Sequence, residues 1–316
     1  MKYVFSLCWS LILTVGLLAQ EAAPAFATAF TTDDPQLENS LLWKITGNGL
    51  EKPSYLYGTI HIIDKDDFFL TDGTKRAIKE ADQVSFEINL EEATGIGAQI
   101  GMMMQAFMKG GTTLEDLLSK EDYKMVDAHF TKMGLPLWIL ERIKPMFLSV
   151  IASMDMSQLG GGETVSYEME IAQRAKRRDL PMDGLETVEY QMSMFDSIPY
   201  DAQAKMLVDA IKMTQDTSAE VVNELDMMTE MYTSQNIMGM VQSIGDDAEG
   251  LGQFEDMLLR NRNRNWIPVM GKQMQGKTVL FAVGAGHLAG RNGVINLLRE
   301  AGYEVVAVMD EKVETP

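Results

Sequence analysis

The stretch KTVLFAVGAGHLAGRNGVINLLREAGYEVVAVMD, residues 277–310, contains the pattern that decides the fold. An apolar run leads into a glycine-rich loop, a segment with apolar residues at helical spacing, and a second apolar run. This order of strand, loop, helix and strand is typical of a βαβ unit. Within the loop, Gly284 begins a Gly-x-x-His sequence that ends at His287.

A second Gly-x-x-His sequence lies near the other end of the chain, in SYLYGTIH at residues 54–61, where Gly58 precedes His61. The chain has three histidines in all, so two of them share one local pattern. LLWKIT at 41–46 and the turn-rich GNGLEKP come just before, which predicts a pair of adjacent strands. Since α/β sheets bind ligands beyond the carboxyl ends of their strands, the two imidazoles would converge if their strands are neighbours.

A third predicted strand, QVSFEINL at 83–90, alternates apolar and polar residues and carries Glu87 on its polar face. Two neutral imidazoles and one carboxylate make a divalent-metal site with open positions for water and substrate. We therefore interpret His61, His287 and Glu87 as candidate ligands of one ion. His129 lies in an ordinary helical pattern, and we assign it no role.

Helical spacing dominates between about residues 96 and 266, broken by a short predicted strand over 180–184 that delivers Glu186 to its end. We predict an α/β (α+β) fold in which N- and C-terminal strands form a mixed sheet with this large helical insertion. No repeat or low-complexity linker follows residue 40, so residues 28–316 are predicted to form a single domain.

The N-terminus predicts export. An apolar run over residues 3–19 precedes Ala25-Phe26-Ala27, a small-x-small cleavage site, so we expect residues 1–27 to be a signal peptide. An uncleaved anchor is the alternative; after cleavage no integral membrane span is expected. The protein would then be periplasmic or secreted. Cleavage removes Cys8, the sole cysteine, and with it any thiolate chemistry.

The composition of the chain limits the classes of molecule that it is expected to bind. The formal net charge is −19, which disfavours binding to nucleic acid and to anionic lipid. A hydrophobic content of 46% is enough for a substantial core.

Taken together, SYLYGTIH, QVSFEINL, LPMDGLETVEYQ, RNRNW and VLFAVGAGHLAG resemble, in order from about residue 42 to 308, the TraB/PrgY/GumN family, which includes the animal Tiki proteins. The resemblance implies metal-dependent protease activity and a fold related to erythromycin-esterase and ChaN-like proteins. It makes the following residues signature positions: Gly58, His61, Glu87, Gly284 and His287. It adds Glu186, Arg262 and Asn263 to the same pocket, where we also place Gly286 of the GAGH loop.

The resulting expectation is an exported metal-dependent hydrolase of a peptide or small acyl compound. It would use one divalent ion (Zn, Mn, Co or Fe), with Glu87 as third ligand or general base. Arg262 would stabilise an oxyanion or bind a substrate carboxylate, and Glu186 or Arg262 would support the metal ligands as part of the catalytic set. One departure from many bacterial relatives concerns the pocket wall, because Lys144-Pro145-Met146 replaces Lys-Pro-Trp.

The spacing of motif residues disfavours two other classes of protein. Gly284, Gly286 and Gly290 leave three residues before the last glycine, which is one too many for a dinucleotide-binding loop. The chain has no Gly-x-Ser-x-Gly elbow of a serine hydrolase. A non-catalytic module that sequesters a peptide or signal stays open as the alternative.

Overall fold

The structure is a computed structural model that describes residues 36–152, 164–215, 227–246 and 254–309. The predicted signal peptide and its cleavage site lie outside these residues. Within the described ranges, no helix has both the length and the apolar character needed to cross a membrane.

A six-stranded mixed sheet forms the centre of the molecule, with strand order β6-β4-β7-β2-β1-β8. Only β1 runs antiparallel to the other strands of this sheet, since it pairs antiparallel with both β2 and β8 while all the remaining pairs are parallel. The strands of this sheet are β1 (Leu42–Gly47), β2 (Ser54–Thr59), β4 (Gln83–Ile88), β6 (Met182–Glu186), β7 (Val279–Gly284) and β8 (Tyr303–Ala307). Two short strands, β3 (Ile63–Asp64) and β5 (Thr164–Val165), pair separately.

The predicted α/β class is confirmed. The β1–β2 pair is the expected antiparallel neighbour pair, and β7, helix α14 (Val294–Glu300) and β8 form the expected βαβ unit. Strands β2 and β1 lie between β7 and β8, so the crossover passes over two strands.

Helices fill most of the described residues between β4 and β7. In chain order after α1 (Asp72–Glu80), they are α2 (Leu90–Ala93), α3 (Ile96–Gln105), α4 (Leu114–Leu117), α5 (Lys120–Lys132), α6 (Leu137–Leu140), α7 (Pro145–Ala152), α8 (Tyr167–Arg177), α9 (Val188–Met194), α10 (Tyr200–Gln215), α11 (227–233), α12 (Ile237–Asp246) and α13 (Asn261–Gln273). The last of these helices continues past residue 266, the predicted end of the insertion.

Strand β4 is covered on both faces. Val84 and Phe86 are buried as expected, but Ser85, on the face predicted to be polar, is also fully buried. Both faces of a parallel sheet are normally covered by other elements, and that rule overrides the polar appearance of this face. Glu87 on the same face therefore lies inside the protein, with its side chain 12% exposed.

Gly58 allows the turn after β7 to pack against β2. A Cβ atom at Gly58 would lie 3.0 Å from Leu288 Cδ2 and 3.2 Å from the Cα and Cβ atoms of Ala285. Ala285 begins the turn that carries His287, and Leu288 follows that turn. The absence of a side chain at Gly58 thus fixes how closely the two Gly-x-x-His segments approach each other.

We predict that Gly58→Ala lowers the free energy of unfolding by about 1–3 kcal/mol, because backbone and buried side chain must move to admit the methyl group. Gly97→Ala is the matched control: it lies in α3 with no atom within 4 Å of the added Cβ, so it should be neutral or stabilising by about 0.5–1 kcal/mol. Urea unfolding measures both. Equal stability of the two variants would contradict this packing account.

Candidate functional site

Four neighbouring parallel strands end at one edge of the sheet, and each brings a predicted site residue to it. In spatial order these are Glu186 on β6, Glu87 on β4, His287 after β7 and His61 after β2. Thr59 and Gly284, the last residues of β2 and β7, are register partners, so the two Gly-x-x-His segments leave the sheet side by side. The structure therefore brings together the residues that the sequence placed at strand ends.

Arg262, from α13, lies across this edge and is 4% exposed. Its Nε and Nη2 atoms donate to Glu186, and Nη2 also donates to Glu87. Its Nη1 donates to the Leu258 carbonyl at 3.0 Å and faces His287 Nε2 at 3.1 Å. These contacts employ all five guanidinium N–H groups. The prediction that Arg262 contacts an oxyanion or a substrate carboxylate therefore requires it to release one of these partners.

Glu186 lies behind Arg262. It is 5% exposed, and besides Arg262 it accepts a 3.0 Å hydrogen bond from Trp266 Nε1. Burial raises the pKa of Glu186, and the charge of Arg262 opposes that rise. Its contacts are those of a residue that anchors the guanidinium.

Glu87 is held by three donors. Its Oε1 atom accepts from the Gly284 backbone N–H at 2.9 Å, and its Oε2 atom accepts from Arg262 and from Gln191 Nε2 at 3.1 Å. Burial alone would raise the pKa of Glu87, but the charge of Arg262, with the two histidines, holds it well below its ordinary range. Glu87 is therefore ionised and weakly basic.

His287 is fully buried and its tautomer follows from its neighbours. Asn263 Nδ2 donates to the Asn292 carbonyl at 2.8 Å, which turns Asn263 Oδ1 towards His287 Nδ1 at 2.6 Å. Nδ1 must then carry the proton, so Nε2 is an acceptor. Burial, reinforced by the charge of Arg262, lowers the pKa of His287 to about 3, and the ring is neutral.

His61 has a partner that no motif indicated. Its Nδ1 atom lies 2.9 Å from Glu168 Oε1, near the start of α8. Burial would lower the pKa of His61, but Glu168 more than offsets this and raises it. Glu168 begins no recognisable motif; the helix start at Ser166 was its only sequence signal.

A cavity of about 540 Å³ opens onto this edge of the sheet. Its wall includes polar groups of the site and two apolar residues from helices that follow β4: His61, Glu87, Glu168, Gln191, Leu90 and Met102. Met146 of the Lys-Pro-Met sequence is buried in a cluster with Met102 and Ile88, which do line the cavity. The Lys-Pro-Met departure thus lies behind the wall.

The remaining predicted residues take ordinary positions. Gly284 ends β7 and donates to Glu87, while Gly286 lies in the 3₁₀ turn Ala285–His287. His129, which was assigned no role, faces the Ala152 carbonyl at 3.1 Å in a different part of the molecule.

The nitrogen and oxygen atoms of the site suit a divalent ion, but the position of Arg262 conflicts with binding of that ion. The acceptor atoms His287 Nε2 and Glu87 Oε1 face each other at 3.7 Å, and a tetrahedral ion with bonds of about 2.1 Å spaces its ligand atoms about 3.4 Å apart. Two carboxylates around one guanidinium also leave an excess negative charge. However, Arg262 Nη1 occupies the direction of the His287 lone pair, and no group of three His, Cys, Asp or Glu residues in the described ranges has metal-site geometry. Binding of an ion at His287 requires Arg262 to release that ring.

Two histidines, three carboxylates and a buried arginine lie together at the carboxyl ends of the parallel strands. The fold and site are therefore those of an α/β protein with a charged site at its strand ends. The chain belongs to the TraB/PrgY/gumN family, whose model matches residues 41–307.

Named relatives extend this finding. The chain is 25% identical to metalloprotease TIKI1 of Danio rerio over 349 aligned residues, covering 95% of this chain and 68% of that protein. It is 22% identical to metalloprotease TIKI1 of Homo sapiens over 344 residues, covering 93% and 67%. It is 22% identical to a metalloprotease TIKI homolog of Nematostella vectensis over 364 residues, covering 96% and 76%. No solved structure matches the chain.

The opposite pKa shifts of the two histidines give a measurable prediction. In metal-free protein, NMR of labelled histidine should find His287 neutral at pH 5, while His61 takes up its proton at higher pH than His287 does. Between about pH 6.5 and 3 the unfolded chain protonates at residue 287 and the folded chain does not, so this residue reduces stability as pH falls through that window. Protonation of folded His287 near pH 6.5 would contradict its contact with Arg262.

Proposed function

We propose that this protein is an exported metal-dependent hydrolase that acts on a peptide or another small acyl compound. The observation that carries the proposal is the convergence of His61 and His287 at the ends of neighbouring parallel strands, with Glu87 facing His287. The names of the relatives support a protease-like activity and a peptide substrate. Export rests on the N-terminal sequence alone.

His61, His287 and Glu87 are the residues that would hold the ion, which would be Zn, Mn, Co or Fe. When bound, such an ion would polarise the carbonyl of a substrate and lower the pKa of a water molecule. The two imidazoles would contribute their Nε2 atoms, since each Nδ1 is engaged with its own partner. Metal-binding histidines commonly have this arrangement.

The state of Glu87 favours one of its two predicted roles. A general base works best with a pKa near the working pH, and the pKa of Glu87 is held well below its ordinary range. A carboxylate that stays ionised is, by contrast, a suitable ligand. We therefore favour Glu87 as a ligand over Glu87 as the base.

Arg262 and Glu186 would not bind the ion themselves but would position and balance the residues that do. Arg262 balances the charge of Glu87 and contacts His287, and Glu186 holds the guanidinium in place. When Arg262 Nη1 releases His287, that N–H becomes available to an oxyanion or a substrate carboxylate. This links the predicted role of Arg262 to occupation of the site.

A non-catalytic binding module remains the second candidate because of one observation. Arg262 Nη1 faces the lone pair that an ion would need, so the site is complete as a hydrogen-bonded network without an ion. A protein that only sequesters a peptide or signal needs no more than this network and the adjoining cavity.

We predict that purified mature protein carries about one divalent ion and that His61→Ala and His287→Ala each lose it, because each removes one of three ligands. His129→Ala, which changes the third histidine, one that does not line the cavity, is the matched control and should keep the ion. Glu87→Gln should lose both the ion and hydrolysis of a peptide library if Glu87 is a ligand. If it is the base, the ion stays and turnover falls by about 10²-fold or more.

Elemental analysis and peptide hydrolysis separate these cases. Metal content and hydrolysis that are both unchanged in Glu87→Gln would exclude Glu87 from both roles, and a wild type without detectable hydrolysis would favour the binding module.

A further inference from the structure

Glu168 is held more tightly than a surface carboxylate. Its Oε1 atom accepts a 2.6 Å hydrogen bond from Thr59 Oγ1, and its Oε2 atom accepts one of 3.1 Å from Ser166 Oγ. Its side chain is 14% exposed, and it follows the Ser166 N-cap of α8 by two positions. Helix N-termini favour negative charge, so the fold stabilises an ionised carboxylate here.

Thr59 connects this carboxylate to the sheet. It is the last residue of β2 and lies two positions before His61. Alternate residues of a strand face opposite sides of the sheet, so Thr59 faces α8 while Gly58 faces the turn after β7. Glu168 is therefore fixed against the same strand whose end carries His61.

We propose that Glu168 is the positioning residue of His61, an inference that rests on the proposed metal site. An ionised carboxylate can only accept hydrogen bonds, so the 2.9 Å contact requires the proton to be on His61 Nδ1. In the neutral ring the Nε2 atom is then left with its lone pair. Because Glu168 is anchored by Thr59 and Ser166, it also fixes the plane of the ring.

The same task is performed at His287 by a different residue type. Asn263 Oδ1 accepts from Nδ1 there, and the amide is held by the Asn292 carbonyl. Both candidate ligand histidines thus have Nδ1 engaged and Nε2 free of a proton. Glu168 makes the His61 ring the more electron-rich of the two, since a carboxylate partner raises ligand basicity more than an amide does.

The test uses metal-free protein with ¹⁵N-labelled histidine at about pH 9, where imidazoles are neutral. Wild-type His61 should be the Nδ1–H tautomer. Glu168→Leu should move His61 towards the Nε2–H tautomer, and Glu168→Gln should largely preserve Nδ1–H because its amide oxygen can still accept. Glu170→Gln, on the same helix but paired with Arg174, is the matched control and should change nothing. The His287 signals serve as an internal reference.

Zn²⁺ titration of the same four proteins gives a second reading. Affinity should fall about 10–100-fold in Glu168→Leu and less in Glu168→Gln. If Glu168→Leu does not fold, Thr59→Val, which removes one anchor of Glu168 and keeps side-chain volume, should give a mixture of His61 tautomers.

Two outcomes would overturn the proposal: a wild-type His61 in the Nε2–H form, or an unchanged Nδ1–H tautomer in folded Glu168→Leu. Absence of Zn²⁺ binding in the wild type would instead count against the proposed metal site. The tautomer of metal-free His61 would still decide the role of Glu168.

Discussion

The site depends on the ion pairs that the buried guanidinium of Arg262 forms with two carboxylates. The guanidinium neutralises part of the charge of Glu87 and Glu186, which approach it from two adjacent strands, and its fifth donor contacts His287. Without a cation at this point, two carboxylates would face each other inside the protein at high electrostatic cost. The low pKa of His287 follows from burial, which this charge reinforces. Glu87 stays ionised because the same charge outweighs the effect of burial on its pKa.

Strand order explains why these residues meet at all. Parallel neighbours β6, β4, β7 and β2 place their carboxyl ends on one edge, and the site residues occupy that edge in the same order. The antiparallel strand β1 lies beyond β2 and contributes no residue to the site. Gly58 brings the turn that follows β7 close against β2, which sets the spacing between the two histidine segments.

Much of this arrangement could be predicted from local sequence. The βαβ pattern at 277–310, the two Gly-x-x-His segments and the strand that ends at Glu186 each depend on residues that are close in the chain. Glu168 could not be found in this way, because its contact with His61 spans 107 positions and its own surroundings read as an ordinary helix start. The burial of the polar face of β4 could not be predicted either, because the elements that cover this face are distant in sequence. The sequence likewise contained no sign that all five N–H groups of Arg262 are hydrogen-bonded, because these contacts depend on how α13 packs against the sheet.

Charge compensation by Arg262 is tested most directly by urea unfolding of EDTA-treated protein. We expect Arg262→Met to lose about 3–5 kcal/mol, because it leaves buried carboxylates unpaired. The triple variant Arg262→Met, Glu87→Gln, Glu186→Gln should recover most of that loss, since no buried charge then lacks a partner. A loss below about 1 kcal/mol in Arg262→Met, or a triple variant no more stable than the single one, would contradict the account.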